Sequence, residues 1–317
     1  VSEWRPGADR AVLQARAALL AQLRSFLDQR DCLEVDTPLL CRYGVTDPSI
    51  EPLQVSHGAS IDAPRFLQSS PEYAMKRLLA AGSGAIYQLG KAFRDGELGA
   101  RHNPEFTLLE WYRPGWSLTQ MIEETALLVG SVLGYDNCQR LTVRELYLSQ
   151  LHIDPLTANS AELAACARRH LDCAGLQLDR NGWLDLLMSH VLEPALPAGL
   201  LVLEDYPASQ AALAQVVHRG DSVVAERFEL YVDGLELANG YQELRDAAEL
   251  AQRAAADNHR RRRNGQGERV NDPRLLAAMQ TGLPACCGVA LGVDRLLMLR
   301  LGEARLEAVL PFDWSRS

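Results

Sequence analysis

The sequence predicts an α+β fold, and three observations predict it: a long amphipathic helix feeding a short strand-like stretch, two antiparallel hairpins, and a glycine-punctuated strand that enters a closing helix. The absence of βαβ alternation argues against a doubly wound parallel sheet. The 317 residues are 47% apolar and 23% charged, globular proportions that exclude disordered, collagen-like and disulfide-scaffold classes. No apolar run approaches the roughly 18 residues that span a bilayer. The first ten residues carry Glu3, Arg5, Asp9 and Arg10 where a secretory leader would be apolar, so a cytoplasmic address is expected. Seven cysteines with no C-x-x-C pair point to reduced thiols and away from a zinc site. Lys and Arg (32) fall short of Asp and Glu (41), and the net charge of −9 disfavours a polyanion-coating role.

Taken in order, residues 10–28 place Val12, Leu13, Leu19, Leu20, Leu23, Phe26 and Leu27 on one helix face, with Arg16 contributing its stem. Residues 33–39 alternate like a strand and include Pro38, which has no N–H to give and belongs at an edge or strand end. Strands are predicted at 86–94 and 106–113, joined by a polar loop that carries Arg94, Arg101 and His102 at or near its ends. Alanine- and leucine-rich residues from about 155 to 200 look helical and read as an insertion in a single catalytic domain spanning 1–317. Asp233-Gly234 marks a tight hairpin between residues 227–232 and 235–238. Residues 287–299 read as a strand entering a helix and lack the G-x-G-x-x-G of a dinucleotide loop.

The chemistry sits on these hairpins. A two-residue turn at Asp233-Gly234 sets Tyr231 opposite Glu236 and Glu229 opposite Ala238, so both glutamates share a face and Leu230, Val232, Leu235 and Leu237 take the other. Like charges held close raise each other's pKa, and a magnesium ion bound by one or two carboxylates plus substrate phosphates removes that repulsion. Taken alone, the hairpin favours a simpler arrangement, one glutamate at a solvent edge beside Arg227 or Arg245. Arg94, Arg101, His102 and Arg295 are candidate phosphate ligands, because guanidinium forks match phosphate oxygens. Alternation puts Phe106, Leu108, Glu110 and Tyr112 on one face, with an aromatic ring beside the basic groups. Ser69-Ser70-Pro71-Glu72 reads as a capping box, and Glu72 could instead face a ligand amine. Arg260 to Arg263 close a helix-like stretch from Asp246 and are expected to complement its dipole or stay solvated.

In order and spacing, the segment ending at Pro38, Phe93-Arg94 with His102-Asn103-Pro104-Glu105-Phe106, and Gly292-Val293-Asp294-Arg295 resemble the three motifs of class II aminoacyl-tRNA synthetases. Residues 101–106 and 236–244 look like the lysyl branch. The resemblance implies an antiparallel sheet flanked by helices, ATP bent across it, and a homodimer formed through the first motif. No room is left before the first helix for the anticodon-reading OB-fold of lysyl-tRNA synthetases. With residues 109–114, this resembles the truncated lysyl branch that modifies elongation factor P. That implies ATP- and Mg2+-dependent activation of a lysine, preferably (R)-β-lysine, as an aminoacyl-adenylate, followed by transfer to a lysine ε-amine of elongation factor P. A compact ligase that charges tRNA and a non-catalytic amino-acid-binding paralogue are the alternatives. The missing OB-fold and acidic charge count against the first, and intact Arg94, Glu229, Glu236, Glu243 and Arg295 against the second.

Carried over by motif position, the resemblance assigns Arg94 to the α-phosphate and substrate carboxylate, Arg295 to the γ-phosphate, and Phe106 to adenine stacking. Arg101, His102, Asn103, Leu237 and Gly292 join the nucleotide site, and Glu229 and Glu236 become the metal ligands. Ser70, Pro71, Glu72, Glu110 and Asn239 line the amino-acid site, with Glu72 and Asn239 at the amino and carboxylate ends, and Tyr112 and Glu243 hold the distal ammonium. Gly96 stands where the class often has an acid, with Glu97 one residue later. Simple alternation turns Asn239 away from Glu229 and Glu236, so a strand bend at Gly240 is expected. Ala290 replaces the glycine of the lysyl pattern G-x-G-x-G-x-D-R, and its methyl is expected to favour a lysine whose amine is moved along the chain.

Overall fold

The structure, a computed structural model, describes residues 4–58 and 63–317; Glu3 lies outside them. The chain forms two compact units, one of residues 1–116 with 244–317 and one of residues 117–243.

In the first unit, α1 (Arg10–Asp28) starts where the Asp9 carboxylate accepts the Val12 N–H at 2.9 Å, an N-cap that satisfies an orphan donor. Leu19, Leu23 and Leu27 bury one side chain per turn, while Leu13 of the predicted face stays partly exposed. Arg16 is more than a stem: its guanidinium donates to Asp294 and to Thr107 Oγ1, each at 2.6 Å. Only β1 (Leu33–Glu34) of the predicted 33–39 strand joins the sheet, and Pro38 follows after the chain has left it. Short strands β2 (Leu40–Cys41), β3 (Gln54–Val55) and β4 (Arg65–Leu67) make a separate antiparallel sheet in the order β2-β4-β3. After α2 (Glu72–Ala80), β5 (Ile86–Phe93) and β6 (Glu105–Pro114) form the predicted antiparallel hairpin. β1 pairs with β5 in parallel, a local departure from the antiparallel expectation.

The second unit opens with α3 (Leu118–Leu133), β7 (Cys138–Thr142), α4 (Val143–Leu151), α5 (Ser160–His170) and α6 (Arg180–Leu187). Reciprocal capping boxes at Ser117/Gln120, Thr142/Glu145 and Asn159/Glu162 start α3, α4 and α5. β8 (Leu200–Pro207), β9 (Val216–Arg219), β10 (Ser222–Val232) and β11 (Leu235–Gln242) follow. The sheet order is β11-β10-β8-β7, with β9 on the first half of β10 and only β7–β8 parallel. Trp183, Leu187, Tyr147 and Leu163 from the helices pack with Leu201, Leu203 and Tyr231 of the strands in one buried cluster. Asp233 and Gly234 both have positive φ, 50° and 75°, as a type I′ turn demands. A Cβ at Gly234 would also meet Glu193 O at 3.0 Å, so glycine is required there on two counts.

The first unit then resumes with α7 (Ala247–Arg263), α8 (Pro273–Gly282), β12 (Cys286–Gly292) and α9 (Val293–Leu301). β12 lies antiparallel to β6, giving the order β1-β5-β6-β12, with α9 packed on β6 and α1 on α9. The 260–263 run closes the last turn of α7 with Arg262 and Arg263 exposed, as expected, but Arg261 departs from the solvated expectation. Arg261 is fully buried and donates to Gly267 O, Asp47 O and the Glu51 carboxylate, clamping two loops to the end of α7.

Candidate active site

Three strands of the first unit present one row of side chains each to a common face. The register sets Ile86, Tyr112 and Gly288 side by side, then Gln88, Glu110 and Ala290, then Gly90, Leu108 and Gly292, with Ala92 beside Phe106. Alternation adds Arg94 to this face, just beyond the end of β5. Gly288, Ala290 and Gly292 along β12, and Gly90 and Ala92 on the second half of β5, keep the floor low, and the long side chains of β6 stand along its centre.

At one end lies an acidic group of residues. Glu110 is buried, with Ser70 Oγ donating to one carboxylate oxygen and the Tyr112 hydroxyl to the other, both at 2.7 Å. Burial, and then the neighbouring Glu72 carboxylate, push its pKa from 4.5 up to about 7. The predicted capping box is not formed. Ser70 Oγ accepts the Glu72 N–H at 3.0 Å, Pro71 occupies the N-cap position without a side-chain bond, and the Glu72 carboxylate turns away to buried Lys76 Nζ at 2.6 Å. Glu72 is thereby held along the first turn of α2 by an i,i+4 pair instead of folding back on the helix start.

Because the folded protein holds the Glu110 proton more tightly than the unfolded chain, the associated stability is complete below pH 4.5 and is lost as pH rises through about 7. The ligand-free protein is expected to lose about 3 kcal/mol across that window from this group. Denaturant titrations at several pH values check it: Glu110→Gln should flatten that part of the profile, and parallel profiles for both proteins would refute the assignment.

At the other end, the Arg94 N–H donates to Pro104 O at 2.9 Å, and its guanidinium stands 5.1 Å from the Phe106 ring centroid. Glu97 Oε1 lies 3.5 Å from that guanidinium, so the acid displaced by one position still reaches the motif arginine. Gly96, at φ 77°, makes the turn that permits it. Gly99 and His102 bridge across the loop. Arg295, in the first turn of α9, donates from Nε to Arg101 O at 3.2 Å and lies 2.6 Å from His102 Nε2. Burial and the Arg295 charge hold the His102 pKa down, so the neutral ring accepts from the guanidinium. Asn103 braces the loop instead of projecting from it: Nδ2 donates to Glu105 O and Oδ1 accepts the Trp314 N–H. Asp294, which the sequence reading passed over, is buried and accepts from Arg16 and from the Thr107 N–H at 2.7 Å, fixing α9 against β6.

In the second unit the Asp233-Gly234 hairpin holds a surprise of register. Tyr231 faces Glu236 as expected, but Leu230 pairs with Ala238 and Glu229 with Asn239, which corrects the predicted Glu229–Ala238 pairing. Leu237 is the extra residue of a β-bulge. The bulge, not a bend at Gly240, returns Asn239 to the face shared by Glu229, Tyr231 and Glu236. Tyr206 and Tyr231 hydroxyls donate to Glu229 Oε2 at 2.6 Å, Arg227 pairs with Oε1, and Asn239 Nδ2 reaches Oε1 at 3.3 Å. Arg227 also donates to Gln210 O and covers the Tyr206 ring at 4.5 Å. Burial and the Glu229 charge push both tyrosine pKa values far up. Glu243 is buried at the end of β11, bridged to Ala214. Arg227 does pair with a hairpin glutamate as expected, but with Glu229 buried and not at a solvent edge; Tyr206 carried no signal.

The sequence model of the family described as tRNA synthetases class II (D, K and N) matches residues 3–315. The chain belongs to this class II synthetase family. Among curated relatives, an "Elongation factor P--(R)-beta-lysine ligase" of Mannheimia succiniciproducens is 45% identical over 98% of this chain and 97% of its own length. Proteins of the same name from Yersinia enterocolitica and Yersinia pestis are 44% and 43% identical, over 100% and 98% of this chain and 99% and 97% of theirs. Arg94 and Arg295, the arginines expected of the second and third motifs, both lie in the first unit. Among the described residues, no group of three or more His, Cys, Asp or Glu side chains converges as a metal site. The donor set on the β10–β11 hairpin fits a hard divalent ion that takes two carboxylates, since Glu229 and Glu236 share a face and the long Asn239 contact is the easiest of the Glu229 bonds to release.

Proposed function

We propose that this chain uses ATP to activate (R)-β-lysine, and α-lysine less well, as an aminoacyl-adenylate and then acylates a lysine ε-amine of elongation factor P, acting as a cytoplasmic homodimer. One observation carries the reading: the buried Glu110, held by Ser70 and Tyr112, shares a sheet face with Arg94 and Phe106. A cation-seeking acid and a phosphate-seeking arginine thus stand on one surface, as activation of a diamino acid by a nucleotide requires. The name of the curated relatives supplies the acceptor.

In the first step the lysine carboxylate oxygen attacks the α-phosphorus and pyrophosphate leaves. Arg94 holds the α-phosphate and the attacking carboxylate, and Arg295, oriented by His102 and Arg101 O, holds the γ-phosphate. Phe106 stacks on the base, Glu72 takes the backbone amine, and Tyr112 and Glu243 take the distal one, with Glu110 as a further substrate ligand bonded to Tyr112. Asn239 takes the carboxylate end. Magnesium bound by Glu229 and Glu236 would neutralise phosphate charge. In the second step the acceptor ε-amine attacks the acyl carbonyl and AMP leaves.

Intact mass of elongation factor P after incubation with this protein, ATP, magnesium and (R)-β-lysine tests the reading. A single lysyl adduct is the expected result. Pyrophosphate exchange without an adduct would overturn the acceptor, and no exchange with either isomer would overturn the activation chemistry.

Ala290 sits beside Glu110 in the register, so its methyl stands next to an acid of the substrate site. Ala290→Gly is expected to move relative kcat/KM toward α-lysine by about 1 kcal/mol or more. An unchanged ratio for the two isomers would remove the methyl as the selector.

A further inference from the structure

We infer that Gln88 is a binding residue for the amino-acid substrate, its side-chain amide accepting a hydrogen bond from a substrate ammonium beside Glu110. The inference deepens the proposed function and rests on it for the identity of the ligand.

Gln88 is 4% exposed, yet its Oε1 is buried without a hydrogen-bond partner. Native structures rarely leave such a group unmet, because a buried amide without a partner loses its hydration and gains nothing in return. Its position says what would meet it. In the register Gln88 pairs directly with Glu110, and directly paired residues point to the same face with Cβ atoms about 5 Å apart. The amide lies over Gly90, where a Cβ would stand 3.4 Å from Nε2 in ordinary contact. Across Glu110, Ala290 contributes only a methyl.

The three-strand row therefore holds one unused amide, one carboxyl and one small residue. Ser70 and Tyr112 already donate to Glu110, and Lys76 answers Glu72, so the neighbouring polar groups are engaged while Gln88 is not. An ammonium has three donors to place. A carboxylate flanked by an amide oxygen offers two acceptors at adjacent positions.

The test is Gln88→Leu, which keeps most of the volume and removes both polar atoms. KM for (R)-β-lysine and α-lysine in pyrophosphate exchange is expected to rise by about tenfold to a hundredfold, with KM for ATP unchanged. The melting temperature should hold or rise, because a buried unmet amide has been replaced by an apolar group. A fall in melting temperature with unchanged amino-acid KM would assign Gln88 a structural role and overturn the inference. If the wild-type protein activates neither isomer, the functional reading fails by itself. Calorimetric titration of the two isomers then decides on Gln88: weaker binding by the variant supports the inference, and equal binding or none by either protein overturns it.

Discussion

Arg295→Ala is expected to lower ATP–pyrophosphate exchange by about a hundredfold to a thousandfold, the loss typical of removing one donor aimed at developing charge. The fold should survive. Arg295 is half-buried, and His102 Nε2 and Arg101 O, which it holds, lie on an exposed loop. The helix that carries it is fixed by Asp294, which ties Arg16 and the Thr107 N–H together independently of Arg295. Chemical denaturation should place the variant within about 1 kcal/mol of wild type. Undiminished exchange in a folded Arg295→Ala protein would take this residue out of the reaction.

Glu229→Ala should act on stability as well as activity. The substitution strips Arg227 of its carboxylate, leaves the Tyr206 hydroxyl without its acceptor and reduces Tyr231 to a long bond to Glu193 Oε1 at 3.4 Å, all in a poorly hydrated setting. Breaking a buried pair from one side costs about 3–5 kcal/mol. A double variant, Arg227→Met with Glu229→Met, removes the uncompensated cation and is expected to recover part of that stability while exchange stays absent. A double variant that restores exchange would show that the carboxylate serves the fold and not the magnesium-dependent chemistry.

The hairpins, the helix bearing Leu19, Leu23 and Leu27, and the common face of Phe106, Glu110 and Tyr112 were legible because each follows from a period of two or 3.6 in a short window. Arg94, His102 and Arg295 were legible as basic groups, but their meeting depended on a contact across 193 sequence positions between His102 and Arg295 that no local pattern encodes. The same holds for Arg16 with Asp294 and for Arg261 with Glu51. In each case a charged residue counted as surface on composition is buried by a partner far along the chain. Ser70 misled for a different reason: S-x-E near a proline satisfies the pattern of a helix cap, while the hydroxyl also had a buried carboxyl, Glu110, to serve. Leu237 gave no warning, since a bulge is paid for in backbone geometry that side-chain identity does not reveal.

That bulge makes the hairpin behave like a text with a reading frame. Downstream of Leu237 every side chain of β11 owes its side of the sheet to one uncounted residue. Substituting Leu237 changes a letter. Deleting it would only smooth the ladder and leave Asn239 opposite Glu229, whereas drawing Leu237 into the ladder as a paired residue shifts the frame, sending Asn239 to the opposite side from Glu229 and bringing Ala238 into its place, although no proposed ligand has been altered. The side that Asn239 takes therefore depends on Leu237 staying out of the ladder, so a change that leaves Glu236 and Asn239 untouched can still part the two proposed ligands.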